Sequence, residues 1–254
     1  MKKSRFILLF CTVLLLSSVA VVDAGAKKLT VLFDQGHGQK FVIDKDGDLQ
    51  LSGLSGLLKG KGYDVKVSAG ELNDAALKAA GVLVISGAFQ PLKPEETDAV
   101  VRFLERGGKL CIMLHIPQPV LGLMGRLKVY ASNGVIQEQE NTINNEPREF
   151  FVTDLGKHEI TKGVKKIGVH GAWALMTESN TAEIIARTGP KAWIDLNGDG
   201  KFNATDARQS FGVVIAGTLG KGRYLIFGDD AIFQNKFLDR ENMLLGKNLA
   251  NWMK

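Results

Sequence analysis

The sequence has 254 residues, of which 45% are hydrophobic and 23% are charged, and its formal net charge at pH 7 is +5. This length and apolar content suffice for one compact domain with a full core, and they exclude a disordered chain, a collagen-like repeat and a disulfide-rich scaffold. The basic residues are scattered and lack interleaved aromatic residues, which argues against a nucleic-acid-binding surface.

The N-terminal segment has the order of a secretory signal peptide. Lys2, Lys3 and Arg5 precede an apolar run over residues 6–16, and small residues follow up to Ala26. A basic region, an apolar region and a small-residue cleavage site in this order direct export. We therefore expect the protein in the periplasm or outside the cell.

The cleavage point follows Ala24 or Ala26, because both leave a small residue at the cut. We take Ala26, which makes residues 1–26 the signal peptide and residues 27–254 a single exported domain. Removal of this segment leaves a net charge of +3, since three basic residues and one acid are lost. The alternative is an uncleaved membrane anchor, because residues 6–22 reach the lower length limit for spanning a bilayer.

Short apolar runs alternate with helical patterns through the first half of the exported chain. The apolar runs predict strands over residues 28–33, 63–67, 81–87 and 109–115. The helical patterns cover residues 49–61 and 72–80, and a third helix begins at Pro94 and ends at Gly107. Strands and helices in this alternation form right-handed βαβ crossovers. The predicted fold class is therefore α/β, a flavodoxin-like parallel sheet covered by helices.

The second half of the chain is richer in short β-type runs. Residues 137–148 are polar and are predicted to form an exposed loop or a β-ribbon. Further strands are predicted over residues 150–153, 166–169, 182–186 and 192–194. A hairpin around Gly220 joins residues 209–219 to residues 222–227, and the last helix covers about residues 239–252. Because no repeat or linker interrupts the pattern, one domain is expected.

Residues 195–206 match the twelve-residue calcium loop of EF-hand or dockerin type. Asp195, Asn197 and Asp199 place hard oxygen ligands at positions 1, 3 and 5. Gly200 at position 6 permits the sharp turn that this loop requires. The remaining predicted ligands are the carbonyl of Lys201, the side chain or water of Asn203, and the carboxylate of Asp206.

Calcium is therefore the predicted cofactor. Asp206 has a shorter side chain than the usual Glu, which favours weak binding. Residues 193–194 have strand character, so the loop is expected to pin two elements instead of opening like a cytosolic sensor. The alternative is a metal-free turn capped by Asx side chains. A second acidic cluster at residues 44–48 lacks the required glycine and final acid, and is predicted to be an exposed turn.

Ligands of parallel α/β sheets bind beyond the carboxyl ends of the strands. The polar residues at these ends are Asp34, His37, Ser86, His115, Asp229 and Asp230. We take four of them as candidate ligand-binding residues: Asp34, His37, His115 and Asp229. Two acids and two histidines suit a divalent metal or acid–base chemistry. The alternative is structural, with Asp34 and Asp229 capping turns and His115 buried in the core.

Five segments together resemble the class I glutamine-amidotransferase-like superfamily, in the exported branch related to the N-terminal domain of an intraflagellar transport protein. They are residues 31–38, 81–87, 94–109, 158–164 and 222–229. The resemblance implies an amidotransferase-like α/β domain. It also implies a cysteine nucleophile in a glycine-flanked turn after a central strand, with His and Glu partners.

That nucleophile is missing from the sequence. The candidate strand ends at Ser86 and His115 hold no cysteine, and Cys111 falls inside a predicted buried strand. We therefore expect a non-catalytic exported binding module, stabilised by calcium, that recognises a small ligand or an envelope partner protein. The alternative is a hydrolase that uses Asp34, His37, His115 and Asp229. A third possibility is a structural subunit of an envelope complex.

Overall fold

The computed structural model describes residues 28–238 and 240–254. The predicted signal peptide and its cleavage point therefore lie outside the described residues. No helix in the described part of the chain is both long enough and apolar enough to cross a membrane.

The first half of the described chain alternates strands and helices. In chain order these elements are β1 (Thr30–Asp34), α1 (Ser52–Gly60), β2 (Asp64–Ser68), α2 (Asp74–Leu77), β3 (Ala80–Ser86), α3 (Pro94–Glu105) and β4 (Lys109–Met113).

The second half consists mainly of strands. Its elements are α4 (Leu121–Arg126), β5 (Val129–Gln137), β6 (Thr142–Ile143), β7 (Glu146–Val152), β8 (Asp154–Leu155), β9 (Ile167–His170), β10 (Trp173–Thr177), β11 (Ala182–Arg187), β12 (Trp193–Ile194), β13 (Ala207–Arg208), β14 (Gly212–Leu219), β15 (Gly222–Phe227) and α5 (Arg240–Trp252). Short 3-10 turns cover Gln118–Val120 and Ala231–Phe233.

Two sheets organise these strands. The main sheet has 12 strands in the order β13-β12-β5-β10-β14-β15-β4-β3-β1-β2, with β11 also paired to β14 and β8 paired to β11. Strands β2, β1, β3, β4 and β15 are parallel to one another. All other recorded pairs in this sheet are antiparallel. The smaller sheet has the antiparallel order β6-β7-β9.

The predicted flavodoxin-like parallel sheet covered by helices is therefore wrong. The main sheet is mixed, because the strands from β5 onward mostly follow one another through turns and loops without a crossover helix. Parallel neighbours need a crossover of a dozen or more residues, whereas antiparallel neighbours can join through a short turn. The clearest case is the β14–β15 hairpin, whose register pairs Leu219 with Gly222 across Gly220 and Lys221.

Apolar residues on both faces of the central strands form the core. Leu83 on β3 belongs to the cluster beneath α3 and α4, and its neighbour Val84 belongs to the cluster beneath α1 and α5. Both are fully buried, as expected for strands covered on two sides. Complete burial of one such aliphatic side chain contributes about 1.5–3 kcal/mol to the free energy of folding.

Helix α3 begins as its sequence predicts. Pro94 occupies the first turn, and the side chain of Glu96 caps the start of the helix by accepting the backbone N–H of Lys93 at 2.9 Å. The helix ends before Gly107, whose φ of +108° few other residues adopt. Glu96 also takes part in a buried cluster that is described below.

The segment at residues 158–164 folds into a turn that packs on α5. Nδ1 of His158 lies 3.2 Å from the backbone nitrogen of Ile160, and Oγ1 of Thr161 accepts the N–H of His158 at 3.1 Å. Asn248 of α5 donates to the carbonyl oxygens of Ile160 and Lys162 at 2.8 and 2.9 Å. These contacts give the segment a structural role.

Candidate ligand-binding site

The predicted site residues fall into two separate clusters. In the first, His37 lies between two carboxylates, with Nδ1 2.8 Å from Oδ2 of Asp34 and Nε2 3.1 Å from Oε1 of Glu96. All three residues are at most 5% exposed. Burial lowers the pKa of His37, but Asp34 and Glu96 together raise it above its usual value. The two acids therefore favour the imidazolium form of the ring, which bridges them.

The other polar atoms of this first cluster are already engaged. The carboxylate of Asp34 accepts the N–H of Gly36 at 3.0 Å and the amide of Gln39 at 2.6 Å. Oε1 of Glu96 accepts the N–H of Leu72 at 2.8 Å. Asp34 and His37 thus fasten the turn after β1 to α3, and neither residue lines the cavity described below.

The second cluster contains His115, Asp229 and Asp230. Nδ1 of His115 lies 3.2 Å from Oδ1 of Asp230, and the imidazole is flanked by the rings of Phe41 and Phe89, each at 5.1 Å between centroids. The hydrogen bond to Asp230 raises the pKa of His115, although burial opposes this. The His115 side chain is 39% exposed, whereas that of Asp230 is 2% exposed. Asp230 therefore orients a histidine that stays accessible.

Asp229 is enclosed beside this histidine–aspartate pair. Its Oδ2 accepts the N–H of His170 at 2.6 Å, and its Oδ1 accepts the N–H of Ala231 at 2.9 Å. Burial, with the nearby charge of Asp230, raises the pKa of Asp229 to about 7. Asp229 therefore exists in both protonation states near neutral pH.

A cavity of about 640 Å³ opens over this second cluster, beyond the carboxyl ends of β4 and β15. Phe41 and Phe237 contribute apolar walls, and β7 contributes charged residues at the rim. The polar residues on which its chemistry depends are His115, Asp229, Asp230, His170, Gln234 and Arg148. Apolar walls with a few convergent polar groups are typical of small-molecule sites.

Sequence reasoning missed His170, Gln234 and Arg148. His170 ends β9 and stacks on the ring of Phe237 at 3.7 Å. Arg148 comes from β7, which begins within the polar stretch that was predicted to be a loop or ribbon. The only signal in the sequence was the mixture of charged and aromatic residues at the end of that stretch.

Neither Ser86 nor Cys111 supplies a nucleophile to the cavity. Ser86 is buried, its hydroxyl has no hydrogen-bond partner within the described residues, and it does not line the cavity. Cys111 lies inside β4 and is fully buried, and burial raises the pKa of its thiol well above the usual range. A thiol in this environment is not ionised at neutral pH.

A second cavity, of about 370 Å³, is lined by residues that include His158, Arg223 and Trp252. Arg223 forms an ion pair with Glu159, and one ring nitrogen of His158 is used by its own turn. The charged groups of this cavity are therefore largely satisfied within the protein. The cavity of about 640 Å³ beyond the carboxyl ends of β4 and β15, which we name the carboxyl-edge cavity, is the stronger candidate site.

The predicted calcium loop closes a short antiparallel ladder. Trp193 pairs with Arg208, and Ile194 pairs with Ala207, so the loop has strand flanks, as its sequence predicted. The carboxylate of Asp195 accepts the N–H groups of Gly198 and Gly200 at 2.6 and 2.7 Å. Both glycines have positive φ angles, of +77° and +73°, which favour glycine.

Other predicted calcium ligands contact one another within the loop. Asn203 donates to Asp199 at 2.9 Å through its side chain and to Asp206 at 2.8 Å through its backbone N–H. Across the described ranges, no group of three or more His, Cys, Asp or Glu residues is arranged to hold a metal ion. Calcium binding by this loop therefore stays a prediction.

Comparison with known sequences identifies the family. The profile of a domain of unknown function, DUF4350, matches residues 44–250. The chain belongs to the DUF4350 family. No curated protein matches this DUF4350 chain.

Several solved structures are similar to this DUF4350 protein. The mmIFT52 N-terminal domain has a TM-score of 0.70 and 15% identity, covering 88% of this chain and 96% of that chain. The cytoplasmic protein STM1381 from Salmonella typhimurium LT2 has a TM-score of 0.58 and 16% identity, with coverages of 89% and 100%. A ThuA-like protein from Parabacteroides merdae ATCC 43184 has a TM-score of 0.51 and 13% identity, with coverages of 89% and 90%.

At these identities the likeness concerns the fold alone. The predicted relationship to the N-terminal domain of an intraflagellar transport protein is confirmed at that level. The matches described above name neither a glutamine amidotransferase nor a calcium-binding protein, so these two parts of the prediction pass to the proposals below.

Proposed function

We propose that this DUF4350 protein is an exported binding module that recognises a small ligand, or a side chain of an envelope partner, in the carboxyl-edge cavity. The observation that carries the proposal is the accessible imidazole of His115, held by buried Asp230 at 3.2 Å between two phenylalanine rings. Keeping Asp229 and Asp230 buried beside a cavity costs free energy. Such perturbed groups concentrate at functional sites.

Export and calcium complete the proposal. The order of the N-terminal segment supports export. The loop fits calcium because its oxygens come from Asp195, Asn197 and Asp199 at the expected spacing, and its two positive-φ glycines wrap the backbone around Asp195. Bound calcium would pin the β12–β13 ladder. Its ligand set would be completed by Lys201, Asn203 and Asp206.

A distant relationship to the class I glutamine-amidotransferase-like superfamily is also proposed, as a statement about ancestry. It is supported by the segments at residues 31–38 and 81–87, which end β1 and β3 in adjacent parallel positions. Glutaminase activity is not part of this proposal, because Cys111 is enclosed within β4.

Hydrolysis is the second candidate function, and one observation favours it. His115 is oriented by Asp230 as a general base is, and Asp229, with a pKa of about 7, suits a proton donor or acceptor near neutral pH. The unprotonated imidazole would take a proton from water as the water attacks the substrate. Asp34 and His37 have no part in this version, since they belong to the enclosed cluster with Glu96.

The four histidines provide an internally controlled test of the cavity. His115 and His170 line it, whereas His37 and His158 lie elsewhere. We expect a low-molecular-weight fraction of envelope extract to shift the NMR resonances of the first pair only. His115→Asn should abolish the shift of the His170 resonance, and His158→Asn should retain the shifts of His115 and His170. Movement of all four rings, or of none, would contradict the proposal.

The hydrolase candidate has its own readout. Hydrolysis of p-nitrophenyl acetate above the protein-free background should be lost in His115→Asn and kept in His158→Asn. Equal rates in the two variants would eliminate this second candidate and leave the binding proposal standing.

A further inference from the structure

Gln234 is a buried polar residue whose carboxamide makes no hydrogen bond within the part of the chain that the structure describes. It is 3% exposed, and it lines the carboxyl-edge cavity. Buried polar groups are almost always paired with another polar group or with water. The carboxamide is therefore available to a molecule that occupies the cavity.

Arg148 presents a second available donor group to the same cavity. Within the described ranges its guanidinium forms neither an ion pair nor a hydrogen bond, although Arg148 contributes to the cavity lining. Other arginines on the surface of the protein do form ion pairs, namely Arg102, Arg126 and Arg223. Nε2 of His115 is a third polar group near the cavity, since only Nδ1 contacts Asp230.

Each acidic residue around the cavity contacts at least one other group of the protein. Oδ1 of Asp230 lies 3.2 Å from Nδ1 of His115, and both oxygens of Asp229 accept backbone N–H groups, whereas the buried Oδ2 of Asp230 has no hydrogen-bond partner within the described residues. Glu149 lies 3.7 Å from Nδ1 of His170, and Glu146 accepts the backbone N–H of Arg148 at 3.3 Å. The guanidinium of Arg148 and the carboxamide of Gln234 therefore remain to donate to a molecule in the cavity, which favours a ligand that carries acceptor oxygens.

We propose that the ligand of this cavity is a monocarboxylate with a small apolar body, an inference that rests on the proposed binding function. Guanidinium groups bind carboxylates through two parallel hydrogen bonds. Phe41 and Phe237 provide apolar walls for the remainder of the molecule. A dianionic phosphate fits less well, because the carboxylates of Glu149 and Asp230 repel two negative charges more strongly than the single charge of a monocarboxylate.

Benzoate is the probe for this inference, and benzamide is its neutral counterpart of nearly equal shape. We expect benzoate to shift the NMR resonances of His115 and His170 saturably, with benzamide binding at least about tenfold more weakly. Arg148→Gln should weaken benzoate binding by about tenfold or more. Gln234→Glu, which keeps the side-chain shape and adds a negative charge, should do the same.

Arg126→Gln is the matched control, because it removes an exposed arginine that does not line the cavity. Equal binding of benzoate and benzamide, full affinity in Arg148→Gln, or no response to benzoate up to millimolar concentration would each overturn the carboxylate assignment. The cavity proposal would still hold if envelope extract shifted the two histidines. If neither benzoate nor the envelope extract shifts the resonances of His115 and His170, the carboxylate assignment and the binding proposal are both wrong.

Discussion

His37 and Glu96 are 59 positions apart in the sequence, yet Nε2 of His37 lies 3.1 Å from Oε1 of Glu96. The same carboxylate accepts the N–H of Leu72 at 2.8 Å and that of Lys93 at 2.9 Å. One glutamate in the first turn of α3 thus joins the turn after β1, the segment before α2 and its own helix.

Replacing His37 should destabilise the protein strongly. His37→Gln removes the imidazolium and leaves Asp34 and Glu96 buried without it, a change that costs about 3–5 kcal/mol when a buried pair is broken. Because the folded-state pKa of His37 is raised, its contribution is complete below about pH 6.5 and declines as the pH rises through that folded-state value.

Urea unfolding at several pH values measures this effect, with His158→Gln as the control. The pKa of His158 is lowered by burial, so His158 supplies no stabilisation that is lost as the pH rises. The loss of stability in His158→Gln should therefore not become smaller at higher pH. Equal losses of stability in the two variants would show that the bridge between the carboxylates contributes nothing specific.

Asp229 should make the folded state less stable as the pH rises. Its pKa is raised from 3.8 to about 7, so the unfolded chain releases the proton first. The stabilising contribution is complete below about pH 4 and is lost up to about pH 7, amounting to on the order of 4 kcal/mol. Asp229→Asn should flatten the pH dependence of the free energy of unfolding over this window. Asp44→Asn, in an exposed turn, should leave it unchanged.

Cys111 should be chemically inert in the folded protein. Because the thiol is fully buried and its pKa is raised, iodoacetamide should modify it only after unfolding. Cys111→Ala should reduce stability by about 1–2 kcal/mol through the cavity it creates, without affecting ligand binding. Rapid alkylation of the native protein, followed by mass spectrometry, would refute the buried assignment.

Calcium should raise the melting temperature through the loop at residues 195–206. An affinity of roughly 10⁻⁴ to 10⁻³ M is expected, because Asp206 replaces the usual Glu. At about 100 times the dissociation constant, binding adds on the order of 2.7 kcal/mol. Asp195→Ala and Asp199→Ala should abolish the calorimetric response.

Asp46→Ala is the matched control, since it removes an acid from the other acidic turn. A calcium response that survives in both loop variants would locate the site elsewhere. A response lost in Asp46→Ala as well would indicate a nonspecific effect of charge.

The exported protein should begin at Lys27. Mass spectrometry of the intact protein from the envelope fraction determines this directly, because cleavage after Ala24 would give a heavier product. A chain that retains Met1 in the membrane fraction would establish the uncleaved anchor instead.

Local patterns in the sequence located the central strands well, whereas the sheet order depended on distant contacts. The apolar run at β3, bounded by Gly81 and Gly87, identifies a buried strand without further information. The half-exposed β5, with Ser132, Asn133 and Gly134 at its centre, has no comparable pattern. Its pairing with β10 and β12 is determined by tertiary packing.

The candidate site shows the same contrast between residues that local patterns identify and residues that only distant contacts bring into place. His115 and Asp229 follow strands, so the rule for parallel strand ends was sufficient to single them out. Arg148 and His170 reach the cavity only because β7 and β9 fold over that edge as a separate small sheet. Gln234 follows a 3-10 turn and has no distinguishing neighbours in the sequence. Asp34 and His37 satisfied the strand-end rule, but Glu96 enclosed them.

Strand β15 joins the two halves of the main sheet, with β4 parallel on one side and β14 antiparallel on the other. Its residues are made long after those of β4, so this edge of β4 has no partner until β15 has been synthesised. Pairing across such a sequence separation is slow, and open strand edges favour aggregation. A chain truncated at Gly220 would lose the strand between β4 and β14 instead of a strand at the edge of the sheet, so such a fragment cannot form the main sheet as one unit.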